Sequence, residues 1–144
     1  MGDATVRTYD PNSILVTFGT TIITGFAAGT FVKIMRNGAA FEKVKGACGD
    51  VDRINRNAND FKVELTLKQS SPVNAILSGL LLADQISNAG TLPLLIKDLN
   101  GATLFAAMQA WIEKDPDAEF ADKLSDRVWS FETGMAANLV GGNN

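Results

Sequence analysis

The sequence predicts a mainly β fold, a β-sandwich or small barrel of roughly seven or eight strands with one flanking α-helix. Three observations lead there. Residues 61–69, FKVELTLKQ, alternate strictly, with Phe61, Val63, Leu65 and Leu67 on one face and Lys62, Glu64, Thr66 and Lys68 on the other. Short β-branched runs bounded by Gly, Asn and Asp recur along most of the chain. Only residues 70–90 carry both the capping signals and the 3.6-residue period of a helix.

Taken in order, SILVTFG (13–19) and TTIITGFA (20–27) read as strands joined by a tight turn at Gly19 and Thr20. Asn37 and Gly38 then stand between strand-like runs at 30–36 and 40–45, a pairing suited to a type I′ hairpin. Residues 46–60 follow, a Gly-, Asn- and Asp-rich connection far longer than the usual loop of about 2–6 residues. Such a loop is either disordered or works outside its own subunit. In the helix, Ser71 is the expected N-cap, Pro72 the first helical residue, and Asn88 or Gly90 the stop.

Val73, Ile76, Leu77 and Leu80 form the expected core stripe of that helix. Leu82 and Ile86 fall on its far side, leaving only Asn74, Ser78 and Gln85 as a polar strip. This second apolar face is to be covered by loops of the same chain or by a neighbouring subunit. A further hairpin is predicted to turn at Asn100 and Gly101, between strands at 94–99 and 102–112. Residues 113–126 are acidic, with a helical turn expected at 118–124. RVWSFET closes the sheet as the last strand, GGNN is a frayed end, and Trp111 and Trp129 belong to the core.

At 144 residues the chain is expected to be one domain able to bury about 70% of its unfolded surface. No apolar run approaches the roughly 18 residues of a membrane span, and MGDATVRTYDPNS has no apolar signal core, so the chain is expected to stay in the compartment of its synthesis. A net charge of −3 without a dominant basic patch argues against tight nucleic-acid binding. With no histidine and a single cysteine, Cys48, the chain lacks the usual general base, an intrachain disulfide and a multi-Cys metal site. No enzyme activity, cofactor or metal is expected. Hydroxyls in TTIIT and QSSP have no histidine to activate them and serve strands and a helix cap. Asp115, Asp117, Glu119 and Asp122 look superficially like a calcium set but lack the loop glycine and closing Glu of an EF-hand. Charge is uneven: residues 43–68 hold six basic and four acidic side chains, whereas residues 113–126 hold six acidic and two basic. Opposite patches suit a head-to-tail contact between copies, in which Asp115, Asp117, Glu119 and Asp122 would be the acidic partner.

Six segments, YDPNSILVTFG, ITGFAAGTFVKI, SSPVNAILSGLLLAD, LPLLIKDLNGATLF, AWIEK and EFADKLSDRVWSFE, run in order over nearly the whole chain. Together they resemble the tail tube proteins of contractile-tailed bacteriophages, which are related to the tubes of pyocins and type VI secretion. The resemblance implies one tail-tube domain whose copies form hexameric rings, stacked into a hollow tube that a contracting sheath drives into the host envelope. Implied partners are further copies of the chain, the tail sheath, the baseplate and terminator proteins, with genomic DNA passing through the lumen without specific binding. The implied location is the virion tail, after assembly in the host cytoplasm. The resemblance also gives the long loop a role between rings, through Gly46, Cys48, Asp50, Asp52, Arg53, Arg56, Asn59 and Asp60, and the lumen a wall made by Lys62, Glu64, Thr66 and Lys68. Leu82 and Ile86 would mark a helix surface between subunits. Two alternatives stay open: a minor tail component such as a tube initiator or terminator, and a monomeric small β-barrel binding module.

Overall fold

The computed structural model describes residue 6 and residues 8–142. A short 3-10 turn, Pro11–Ser13, leads into β1 (Ile14–Phe18) and β2 (Thr21–Ile22), which pair through a turn where Gly19 takes a positive φ of 62°. Then come β3 (Val32–Arg36), β4 (Phe41–Lys45), β5 (Val51–Asn55), β6 (Phe61–Lys68), α1 (Val73–Ser87), β7 (Leu92–Asp98), β8 (Leu104–Lys114), β9 (Asp126–Thr133) and β10 (Ala136–Leu139). The main sheet is antiparallel in the order β2-β1-β7-β8-β9-β6-β3, with β10 also on β8. The expected mainly β architecture with one helix is what the chain adopts.

The long strand β8 belongs to both halves of the sheet. Its first residues lie between β7 and β10, and its last pair with β9 across a bulge near Ile112. The sheet bends there. Val16, Phe18, Leu94 and Ile96 from one half meet Phe61, Val63, Leu65, Leu67, Trp129 and Phe131 from the other, all at most 3% exposed. Two edge-to-face aromatic pairs join the halves, Phe18 with Phe131 at 5.1 Å and Phe61 with Phe105 at 5.2 Å between ring centroids. The helix covers the core with Val73 and Leu77, supported by Leu80 and Leu81.

Several expectations need correction. Asn37 and Gly38 do not turn a β3–β4 hairpin: neither has positive φ, β3 pairs with β6, and β4 pairs with β5. The side chain of Asn37 instead ties β3 to Asp60 and Glu132. Residues 46–60 are not one long loop, because β5 returns along β4 after a turn in which Gly46 donates to the Asp50 carbonyl and Gly49 has φ +89°. Residues 118–124 hold bends and no helical turn. A strand, β10, follows the one expected to be last. The expected frayed end lies partly outside the described residues, and its described part is tied down: Thr103 Oγ1 lies 3.1 Å from both the amide nitrogen and the carbonyl oxygen of Gly141, and Ala102 donates to the Gly142 carbonyl.

The helix starts one residue later than expected, with Pro72 in the capping position and the Ser71 hydroxyl accepting from the Val73 amide at 3.3 Å. It stops as expected at Asn88, left-handed with φ 55°. Ile76 is 47% exposed, and Leu81 takes its place against the core. Trp129 is buried as expected, but Trp111 is only half-buried. Asn74 joins strand to helix: its Oδ1 accepts from the Trp129 indole at 2.9 Å, while its Nδ2 donates to the carbonyls of Lys68 and Ser71. Replacing Asn74 with Ala strands a buried indole N–H, so N74A is expected to lose about 1–3 kcal/mol in urea denaturation. A loss below about 0.5 kcal/mol would show that the clamp is not needed.

Candidate interaction surfaces

The outer face of β6 carries Lys62, Glu64 and Thr66, each half-buried, and exposed Lys68. Directly opposite residues of a ladder share a face. Lys62 therefore stands between Met35 and Glu132, and Glu64 between Lys33 and Ser130. Lys62 Nζ is 3.8 Å from Glu113 Oε1, and Asn37 Nδ2 donates to Glu132 Oε2 at 2.8 Å. The result is a mixed-sign polar surface on which cations and carboxylates offset one another.

Within it, Glu132 is held above the usual carboxylate range, first by burial and then by the neighbouring Glu113, with Asn37 and Lys62 acting the other way. A raised pKa means that the folded chain binds a proton more tightly than the unfolded chain. The corresponding stability is complete below the ordinary carboxylate pKa of about 4.3 and is lost as pH rises through the raised value. Glu132→Gln keeps an oxygen for Asn37 and removes the charge. It is expected to raise Tm at pH 7 by no more than about 2 °C, a gain that vanishes below about pH 4. Thermal melts across pH check this.

At the Phe61 end of β6, β4 and β5 form a separate two-stranded ribbon with every residue exposed. Its register sorts the charges by face. Lys43, Lys45 and Arg53 share one face with Phe41 and Val51, and Arg53 lies 4.4 Å over the Phe41 ring. Glu42, Val44, Asp52 and Ile54 share the other, where Arg56 pairs with Glu42. Of the residues assigned to the long loop, Gly46, Cys48 and Asp50 form the turn and Asp52 and Arg53 lie in β5. Arg56 lies just beyond β5, and Asn59 and Asp60 sit at the base. That base is clamped: Arg36 donates to the Ala58 carbonyl and to Asn59 Oδ1, and Asn37 to Asp60 Oδ2.

At the Lys68 end, Asp115, Asp117 and Glu119 come together with Glu64 and Asp126 around a cleft of about 300 Å³ in which Lys114 is the one cation. Asp122, at a bend, does not line it. Sequence spacing did not associate Glu64 with this segment; cross-strand pairing of β6 with β9 does. On α1, Leu82 is 60% and Ile86 85% exposed. At about 100° per residue they continue into Ala75, Ile76, Gly79 and Ala83, an uncharged strip of exposed residues.

No family profile matches the chain. A curated relative, Structural protein ORF10 of Pseudomonas phage KPP10, is 26% identical over 94% of this chain and 83% of its own length. Among solved structures, the sheath/tube terminator of an extracellular contractile injection system (PVC) superposes with a TM-score of 0.69 at 10% identity, covering 95% of this chain and all of that one. The tube terminating cap of the anti-feeding prophage follows at 0.63 and 10% identity, over 96% and 95% of the two chains. A chain of the PVC sheath-tube complex gives 0.61 at 8% identity, over 92% and 91%. The chain has the contractile-tail tube fold. Among the described residues no helix is long and apolar enough to cross a membrane.

Proposed function

We propose that the protein is a structural subunit of a phage contractile tail, one whose copies close side by side into a hexameric ring and stack into the hollow tube that conducts the genome. One observation carries the reading. The four-stranded part of the sheet made by β3, β6, β9 and the end of β8 has an outer face that carries Lys33, Lys62, Glu64, Thr66 and Glu132 beside Met35, Trp111 and Val128 and, among the described residues, ends in unpaired backbone on both sides: β3 pairs only with β6, and β8 beyond Trp111 pairs only with β9. Unpaired edges invite pairing with another chain. Two such edges on one subunit let β3 of one copy meet β8 of the next, a heterologous contact that closes into a ring.

In that ring Lys62, Glu64, Thr66 and Lys68 line the lumen. Their mixed charge suits a conduit through which DNA slides without being held. The role is structural and non-enzymatic, with the sheath outside, the baseplate at one end and a terminator at the other. Support comes from the phage structural relative and from the tube and terminator likenesses. A second reading, the tube terminator itself, is favoured by the terminator and cap superpositions. Stacking separates the two: a tube subunit polymerises on itself, whereas a terminator makes single rings that bind a tube end.

Sedimentation velocity and electron microscopy of the purified protein test the proposal. Closed hollow rings that grow into rods as concentration rises support the tube subunit; a monomer at every concentration refutes both tail readings. The exposed strip of α1 serves as a contact in the assembly. Ile86→Asp is expected to change the monomer's stability by less than about 0.5 kcal/mol, because the site is solvated there. It should abolish rings or rods, because a carboxylate buried at an interface costs several kcal/mol. Circular dichroism and sedimentation check the two halves of that expectation.

A further inference from the structure

Ile34, Val63, Phe131 and Ile112 stand directly opposite one another along β3, β6, β9 and β8, one cross-strand row on the core face of the sheet. Helix α1 is packed at the β8 end of this row, where Leu80, Leu81 and Asp84 lie around Ile112 and Phe18. At the β3 end the row runs into an open groove of about 500 Å³, floored by Ile14, Val32, Ile34 and Ile96 and rimmed by the exposed Tyr9 and Val140. No charged side chain lines it. The exposed strip of α1 matches this groove in chemistry: Ala75, Gly79, Leu82 and Ile86 recur at i, i+4, i+7 and i+11, the spacing of a helix that lays an apolar face in a groove. Gly79 lies at the middle of the strip, and a Cβ added there meets nothing within 4 Å in its own chain.

We propose that the α1 strip of one copy seats in this groove of a second copy of the chain, its neighbour around the ring. The inference rests on the ring reading and names what the helix meets there. The antiparallel ladders through β6 and β9 leave β3 and the end of β8 running in opposite directions. Rotation about an axis along the strands preserves that, so pairing of the two edges continues the sheet with its core faces on the same side. The row that ends at Ile112 of one copy then leads, one strand spacing of about 4.8 Å further on, to β3 of the next. Helix and groove thereby flank the same joint on the same face, one from each copy. Within one chain three ladder spacings, about 14 Å, stand between β8 and β3. Each copy offers one strip and one groove, so the contact is heterologous and repeats until the ring closes. Ala75, Gly79 and Ala83 let the helix backbone come close, while Leu82 and Ile86 supply apolar surface. That surface leaves water on contact, a gain the edge pairing lacks because its hydrogen bonds largely replace those made to water.

Cysteine cross-linking in assembled rings tests it. In a chain with Cys48→Ser, Ile86→Cys and Val140→Cys, a short bismaleimide is expected to give a ladder of covalent oligomers that ends at the copy number of the ring, whereas either new cysteine alone gives monomer only. Should Val140→Cys disturb the fold, seen by circular dichroism, Tyr9→Cys on the same rim takes its place. Gly79→Gln supplies an independent readout. It replaces a helix-interior glycine that faces open space, so the monomer's Tm is expected to stay the same or rise. The overfilled contact should raise the concentration needed for half-assembly at least about tenfold. Rings that form without the ladder, or Gly79→Gln rings that assemble as readily as wild type, overturn the inference, leave the ring reading intact and assign the strip to a partner outside the ring. Wild-type protein that forms no ring removes the ring reading and the inference with it.

Discussion

The two-sidedness of β6 is the constraint on which the rest depends. Phe61, Val63, Leu65 and Leu67 are fully buried, so the strand cannot slip by one residue without sending four charged or polar side chains into the core. Fixing that register places β3 on one side and β9 on the other, and it places Lys62, Glu64, Thr66 and Lys68 on a single outward face. Asn74 extends the same order to the helix by binding the carbonyl end of β6 and the indole of Trp129 together. The ribbon precedes this strand in the chain, and the acidic segment joins β8 to β9.

A domain so well filled inside leaves an unusual amount unsatisfied outside. Backbone edges on β3 and on the end of β8, an uncharged helix strip, a ribbon with no buried residue and an acidic cleft all lack partners among the described residues. In a solitary binding module each would be a liability for solubility or order. In a repeating assembly such surfaces have a natural use as joints between copies. Near balance of charge on the outer face of β6 matters more than its sign, since a purely basic wall would retain phosphates.

Sequence pattern made legible those elements whose residues sort by burial. Alternation along β6, the stop at Asn88 and the turn after Asp98 were all readable because a buried face, a left-handed residue or a tight turn leaves a compositional mark. Strand β5 was missed for the complementary reason. Val51 and Ile54 fall on opposite faces of a ribbon that buries neither, so no period of two marks it as a strand. Ile76 was misplaced because a helix apolar nearly all round does not reveal which flank of its stripe meets the core; Leu81 filled that role. The acidic cleft needed the fold itself, since Glu64 is brought to residues 115–126 only through the β6–β9 ladder. The charge asymmetry between the two segments was visible from composition, but the sorting of Lys43, Lys45 and Arg53 onto one face required the register.

The central claim is that edge strands join between copies, and amide hydrogen exchange reads it directly. Comparing monomer with assembled particles, the account predicts that amides of β3 and of residues 111–114 on their unpaired sides exchange fast in the monomer and become protected in the particle, while the buried core of β6 is slow in both. Equal exchange at those edges in both states, in particles that have demonstrably formed, would contradict it and place the joint between copies elsewhere on the surface.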